Sequence, residues 1–466
     1  MSARKFDVIV IGAGPAGEVA AGRLAKRGGK RVALVERELI GGECSYYACM
    51  PSKALLRPEE ALAEARRIPG AAEAASGELD VAAVLARRDE VIHNRDDATQ
   101  MPWIERHGIE LVRGEAALAG ERRVRVGDEQ LVASEAVVLA VGSGAAVPPI
   151  PGLAEAHAWS NREATTATSV PASLLVLGGG VVGVELAQAW ASLGSRVTLV
   201  EAMDRLIADE EPYAGEQLRH ALEERGVTVI TSAKAAEVER SEEGITLALE
   251  GGETLSGDHL LVAVGRKPHT EKLGLESVGL EPGKSIEVDE YLRAPNLPWL
   301  YAVGDVNGRS LLTHSGKYQA RIAADNILGE QSALLQGSQP PPRVIFTDPQ
   351  IAAVGETLAA AHEAGLPAEA IDIETSGNAG ASFYGRGTDG TTRFVVDTER
   401  EVLLGVTFVG AGIAEFVQAA TVAVTAEVPL RTLAHVVAPF PTRSELWLYF
   451  LEAYEERRGI SLHTIA

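Results

Sequence analysis

The chain has 466 residues, enough for roughly three or four ordinary domains, and its 46% hydrophobic and 23% charged content is that of a globular protein. A formal net charge of −22 argues against nucleic acid or an anionic membrane as partner, since both require a basic face. No apolar run is long enough for a membrane helix and Met1–Asp7 carries no secretory profile, so the expected setting is cytoplasmic.

The first predicted element is a strand, Asp7–Ile11, leading into Gly12-Ala13-Gly14-Pro15-Ala16-Gly17. An Ala-rich helical stretch follows, then a strand from Arg31 that ends in Glu36, 24 positions after Gly12. The spacing is that of a dinucleotide fold. The first glycine permits a tight turn and the second lets backbone N–H groups approach a pyrophosphate. The third allows close helix–strand packing, and the acid takes ribose hydroxyls.

Next comes Gly41-Gly42-Glu43-Cys44-Ser45-Tyr46-Tyr47-Ala48-Cys49-Met50-Pro51-Ser52-Lys53, which holds both cysteines of the chain. Five residues of continuous helix would hold two Cα atoms about 7.5 Å apart along the axis, beyond the roughly 7 Å a disulfide tolerates. If the two bond, the chain here must be a distorted turn leading into a helix. Pro51 suits a first helical turn and places Cys49 at a positive helix end, where thiolate is favoured. In an intracellular chain so close a lone pair reads as catalytic rather than as a staple. The interval 57–100, rich in Ala, Glu and Arg, reads as helices with solvated charged faces.

Pro148–Gly152 marks a linker, and residues 173–201 then repeat the opening unit. A strand from Ser173 runs into Gly178-Gly179-Gly180-Val181-Val182-Gly183, and the following strand ends in Glu201, 23 positions after Gly178. Two such units predict two dinucleotides in separate domains, the arrangement for passing a hydride from one to the other. Glu201, at roughly 4 Å from a 2′-phosphate, would repel it by several kcal/mol. NADH is therefore expected over NADPH, although Arg205 is placed to receive a phosphate. Gln339–Pro342 opens a last region in which alternating strands at Arg393–Asp397 and Val402–Val409 precede helices. The fold class is α/β: two Rossmann-like dinucleotide-binding domains plus a C-terminal α+β domain. Expected boundaries are 1–150, 151–270, a central region 271–340 that completes the first site, and 341–466.

Taken in order, these motifs resemble the FAD-containing pyridine nucleotide–disulfide oxidoreductases, the group of dihydrolipoamide dehydrogenase, glutathione reductase and mercuric reductase. The resemblance rests on residues 41–53, Ala140-Val141-Gly142-Ser143, Val264-Gly265-Arg266-Lys267-Pro268, Leu300–Asp305 and Phe346–Gly355, and covers nearly the whole chain. It implies FAD on Gly12, Gly14, Gly17 and Glu36, with Gly42, Ala116, Gly142, Ser143 and His314 nearby and Asp305 on the ribityl chain. The nicotinamide cofactor falls to Gly178, Gly180, Gly183, Glu201 and Gly265. Cys44 and Cys49 would form a redox-active disulfide, Cys49 beside the flavin and Cys44 attacking substrate. Lys53 would lie by the flavin N5, paired with Glu185, where a cation stabilises developing negative charge. The last domain would form a homodimer and send Pro441–Glu445 into the partner's site. No metal is implied.

One departure matters. Relatives that reduce disulfides carry His-Pro, with Glu five residues after the His. Here the run is Pro439-Phe440-Pro441-Thr442-Arg443-Ser444-Glu445, so Phe440 stands at the base and Glu445 has no imidazole to orient. A positioned acid–base group contributes about 10²–10⁴ in rate, which puts dihydrolipoamide dehydrogenase activity in doubt. With two cysteines in all, neither the extra C-terminal cysteines of mercuric reductase nor the C-terminal pair of large thioredoxin reductases is matched. Tyr46 and Tyr47 read either as a proton donor or stacking surface, or as packing aromatics. His435 could replace the base only if its loop turned inward. The first reading is transfer from NADH through FAD and the Cys44–Cys49 pair to a small-molecule, disulfide-type acceptor. The alternative is reduction of a quinone, metal ion or oxygen, and a cofactor-binding protein with little turnover is the third.

Overall fold

The structure is a computed structural model that describes residues 3–335 and 340–464; Gln339, the start of the Pro-rich linker, lies outside them. The chain divides into two compact units, one of Met1–Ser52, Leu85–Ala146 and Gly265–Gly337, the other of Lys53–Val84, Val147–Val264 and Ser338–Ala466.

The first unit is built on an eight-stranded sheet whose main path runs Arg293–Ala294, Leu297–Ala302, Glu129–Leu139, Arg4–Ile11, Val32–Glu36 and Glu110–Arg113. Arg4–Ile11 pairs in parallel with both of its neighbours. Parallel strands buried on two faces need continuous apolar sequence, and Val8, Ile9 and Val10 are fully buried. Ile9 and Ile11 pack into one cluster with Val124 and Leu139. Val8 and Val10 pack into the other with Ala20 and Leu24 of the Pro15–Gly28 helix. The chain returns late to this sheet: Leu297–Ala302 lies parallel to Glu129–Leu139. That strand feeds a short 3₁₀ turn, Gly304–Asn307, and then the helix Thr313–Ile327.

The second unit repeats the motif in a four-stranded parallel sheet ordered Thr228–Ile230, Arg196–Val200, Ser173–Leu177 and His259–Val262. Beside it stands an antiparallel meander of Ala235–Ser241, Gly244–Leu249 and Thr254–Gly257. A five-stranded antiparallel sheet, ordered Arg343–Ile345, Gln350–Gly355, Val402–Gly410, Thr391–Asp397 and Ala368–Glu374, completes the unit. Here the expected alternation fails: Val402–Gly410 is buried at every position. Both of its faces are covered, Leu403 and Phe408 by the helices Val417–Thr425 and Leu446–Arg458, and Leu404 by Leu358–Glu363.

Candidate active site

The two glycine turns have nearly the same backbone. Gly12 has φ +98° and Gly178 φ +109°, a region that favours glycine. A Cβ on Gly12 would sit 2.4 Å from the Ala140 carbonyl oxygen, and one on Gly178 2.5 Å from that of Ala263. A Cβ on Gly17 or on Gly183 would meet the carbonyl oxygen of Gly12 or Gly178 at 1.8 Å, so each helix packs on its own turn as the motif requires. Gly14 and Gly180, by contrast, face open space, where a side chain would fill the cradle a pyrophosphate needs. Both terminal acids lock the turns. Glu36 accepts the N–H groups of Ala13 and Glu38, each at 2.7 Å. Glu201 accepts those of Gly179 and of Met203, the latter at 2.7 Å. Arg205 is turned away to the Ala208 carbonyl, 2.8 Å, and to Asp204.

The cysteine segment hangs from the first turn. Gly41 donates its N–H to the Ala13 carbonyl at 2.7 Å. Gly42, at φ +59°, lies so close to Gly14 that a Cβ would sit 2.8 Å from its Cα. Gly42–Tyr46 then forms one short helical turn, Tyr47 leaves helical geometry at φ −135°, and a new helix starts at Cys49 and runs to Arg67. This is the broken turn that the spacing demands of a bonding pair, with Cys49 at a helix N-terminus. In this structure both cysteines are thiols. Cys44 hydrogen-bonds to Cys49, and that bond together with burial pushes the Cys44 pKa far up. The Thr313 hydroxyl opposes the rise by bonding Cys44, as does the charge of Lys317, and Thr313 Oγ1 is also 3.6 Å from Cys49 Sγ. Tyr46 is buried, and burial with Asp97 and Glu18 nearby lifts its pKa to about 12. It is therefore a poor proton donor near neutrality, and its place is that of a packing aromatic.

In the second unit Lys53 Nζ is 2.5 Å from Glu185 Oε2. Glu185 is 2% exposed, and its other oxygen accepts the Phe346 N–H at 2.9 Å. The pair is thus anchored in the interior at its Glu185 end. The Phe346 ring also lies under the ammonium, 5.0 Å from its centre. Phe440 is 75% exposed, and Glu445 is buried with Oε2 accepting no hydrogen bond among the described residues. His435 has not turned inward; it is exposed and stacks edge-on against His463 at 5.3 Å.

The remaining expected positions are distributed through the first unit. Ala116 is buried in the strand Ala116–Leu118, and Gly142 receives the His269 N–H at 3.1 Å. The Ser143 hydroxyl donates to Asp305 at 2.5 Å and accepts from Arg266 Nε at 2.7 Å. The Gly265 carbonyl accepts the Ala146 N–H, and His314 is exposed in the first turn of its helix. Sequence reasoning missed Thr313, Lys317, Phe346 and Glu18. Glu18, in the first turn after Gly17, has its pKa lifted to about 7 by burial, with Glu36 adding and Lys317 opposing. Thr313 and Lys317, one helical turn apart beside His314, were legible only as the flanks of a recognised motif.

Comparison with known proteins places these features. Residues 6–323 match the family described as pyridine nucleotide-disulphide oxidoreductase, and residues 341–449 match its dimerisation domain. The chain is 34% identical over 471 residues to dihydrolipoyl dehydrogenase of Thermus scotoductus, covering 99% of both. It is 32% identical over 453 residues to mercuric reductase of Staphylococcus aureus, covering 94% of this chain and 81% of that one. Among solved structures, the Cu(II) complex of the HOCl-induced flavoprotein disulfide reductase RclA from Escherichia coli superposes with TM-score 0.84 at 25% identity, covering 95% and 98%. LpdA from Mycobacterium tuberculosis gives 0.84 at 26%, covering 98% and 100%. The family implies FAD and a pyridine nucleotide, and two open glycine cradles, each closed by a carboxylate, fit those groups. No helix among the described residues is long and apolar enough to cross a membrane. The chain therefore belongs to the pyridine nucleotide–disulphide oxidoreductases and is an oxidoreductase flavoenzyme with a dimerisation domain.

Proposed function

We propose that this protein oxidises NADH and delivers the electrons through the Cys44–Cys49 pair to a disulfide-type acceptor. The observation that carries this reading is the thiol cluster: two cysteines within hydrogen-bonding reach, at a helix N-terminus, sharing the Thr313 hydroxyl. Gly12, Gly14, Gly17, Glu36 and Asp305 would hold FAD, and Gly178, Gly180, Gly183 and Glu201 the nicotinamide cofactor. When bound, FAD supplies the change from a two-electron hydride donor to the dithiol. The residues do the rest. Glu185 holds the Lys53 side chain in place, as electrostatic preorganisation requires. The N-terminus of the Cys49–Arg67 helix favours negative charge on Cys49, while Cys44 keeps its proton in the bond to Cys49. NADH is assigned over NADPH because Glu201 lines the turn while Arg205 is committed to Asp204 and Ala208. The dimerisation domain supports a homodimer.

A second reading is favoured by Phe440 and by the Glu445 oxygen that accepts no hydrogen bond among the described residues. An acceptor that needs no proton from an imidazole would suit this site, and soft thiolates bind soft metal ions directly. The Cu(II) complex and mercuric reductase among the similar proteins point the same way. Anaerobic NADH titration tests the common core: the wild type should take up two more electrons per flavin than Cys44→Ser. Equal uptake removes the dithiol from the path. Steady-state rates with a water-soluble aromatic disulfide, Cu(II) and a quinone then separate the readings. A rate lost in Cys44→Ser only for the disulfide supports the first, and one lost for Cu(II) the second. Undiminished quinone reduction marks direct transfer from the flavin.

A further inference from the structure

Within the first unit, the helices Thr313–Ile327 and Pro15–Gly28 touch through small residues. A Cβ on Gly316 would lie 3.4 Å from Ala16 Cβ and 3.2 Å from Gly304 Cα. That close approach brings Lys317, the next residue, within electrostatic reach of Glu18 in the first turn of Pro15–Gly28. Thr313, four positions before Lys317 and on the same helix face, bonds Cys44 and has its hydroxyl 3.6 Å from Cys49 Sγ. Lys317 thus stands one turn from the group that joins the two thiols.

Lys317 is exposed, and neither its side chain nor that of Glu18 makes a hydrogen bond or ion pair among the described residues. Its charge is therefore not cancelled by a contact. It acts on two groups at once, favouring the ionised forms of both Glu18 and Cys44. Burial outweighs it at Glu18 and, with Glu36 adding, lifts that carboxyl to about 7, so its charge changes near neutrality. At Cys44 the cation works against burial and against the bond to Cys49.

The surrounding groups are few. Cys49 faces Cys44, Tyr46 faces Glu18, and His314 and Arg321 flank Lys317 on its own helix, about one turn to either side. In a homodimer of this family, Pro441–Glu445 of the partner subunit would also face the thiols. Phe440, just before it, offers no base, and the segment is the same in every variant compared below.

We propose that Lys317 is the positioning residue that activates Cys44 in place of the missing imidazole, and that Glu18, when charged, restrains it. The proposal deepens the reading of Cys44 as the attacking thiol and rests on it. Cys44 gives its proton to water under the field of the ammonium, and its thiolate attacks one sulfur of the acceptor disulfide. The acceptor S–S bond breaks, and the departing thiolate takes a proton from water. The Cys49 thiolate then displaces the second thiolate from Cys44 and restores the Cys44–Cys49 bond. The dithiol loses two electrons and the acceptor gains them. Lys317 keeps its own proton throughout, so it acts by charge and not as a base.

The test is the rate of Cys44 alkylation by iodoacetamide, scored by peptide mass, in the FAD-loaded protein reduced with dithiothreitol and freed of it anaerobically. It uses neither NADH nor an acceptor, so its failure is distinct from failure of the electron-transfer reading. Lys317→Met should slow Cys44 about tenfold at pH 6, the effect of one unit charge several ångström away, whereas Lys317→Arg should stay within about threefold. Glu18→Gln should match the wild type at pH 5.5 and exceed it about threefold at pH 8.5, where the wild-type carboxylate opposes Lys317. Packing alone would not produce effects of opposite sign, one of them confined to high pH. A Lys317→Met rate within threefold of wild type, an equal loss in Lys317→Arg, or a Glu18→Gln rate in the same ratio to wild type at both pH values would each overturn the proposal.

Discussion

The two glycine turns share a backbone and differ in what their helices carry. Directly after the third glycine stands Glu18 in the first unit and Val184 in the second; one position on, Val19 answers to Glu185. The first helix thereby holds a carboxyl between Glu36 and Lys317, while the second delivers a fully buried carboxylate to Lys53. Repetition keeps the glycine turn because that geometry is set by backbone close approaches. The chemistry is placed on the next turn of helix, where side chains are free to differ.

The third glycines give the largest contrast. Gly17→Ala and Gly183→Ala each force a Cβ to within 1.8 Å of a carbonyl oxygen, so the helix must lift from its turn. Gly17→Ala should purify with less than about a tenth of the wild-type flavin content, the scale of a 1–3 kcal/mol overpacking penalty. Gly183→Ala should keep its flavin but lose at least about tenfold in nicotinamide affinity. Equal flavin loss in both would dissolve the distinction between the two turns.

The acids one position further on come next. Glu185→Gln should slow NADH-driven flavin reduction by about tenfold to a hundredfold in stopped-flow measurements, by loosening the charge at Lys53. Val19→Ala should leave that rate within about twofold. A matching drop for Val19→Ala would mean that packing, not charge, is at stake.

At the strand ends, Glu201→Arg should move the NADH/NADPH ratio of kcat/KM by at least about tenfold toward NADPH. A wild type that already prefers NADPH tenfold defeats the cofactor assignment. The smallest effect belongs to Glu18. Its folded-state pKa of about 7 lies above the ordinary 4.5, so the folded state binds more protons, and stability falls as pH rises from about 4.5 through 7. The thermal midpoint of Glu18→Gln should lack that decline between pH 5 and 8. An unchanged slope would show that Glu18 is ionised throughout.

Strand, turn and helix at both cradles were legible in the sequence because they follow from neighbours within about thirty positions. The break between Cys44 and Cys49 was legible too, as what their spacing would require if the two bond. The Lys53–Glu185 pair, 132 positions apart, came only through family resemblance. Thr313, 264 positions from Cys49, was legible only as the flank of a recognised motif, since its place beside the thiol depends on how a late helix returns to the first unit. The strand Val402–Gly410 misled because composition does not tell whether one face of a sheet or both will be covered.

The Gly41–Ala13 hydrogen bond ties the sulfur segment to the glycine turn proposed to cradle the pyrophosphate. Occupancy of that loop should therefore be readable from a distance: alkylation of Cys44 by a small maleimide becomes a gauge of how firmly the prosthetic group is seated, with no absorbance or turnover needed.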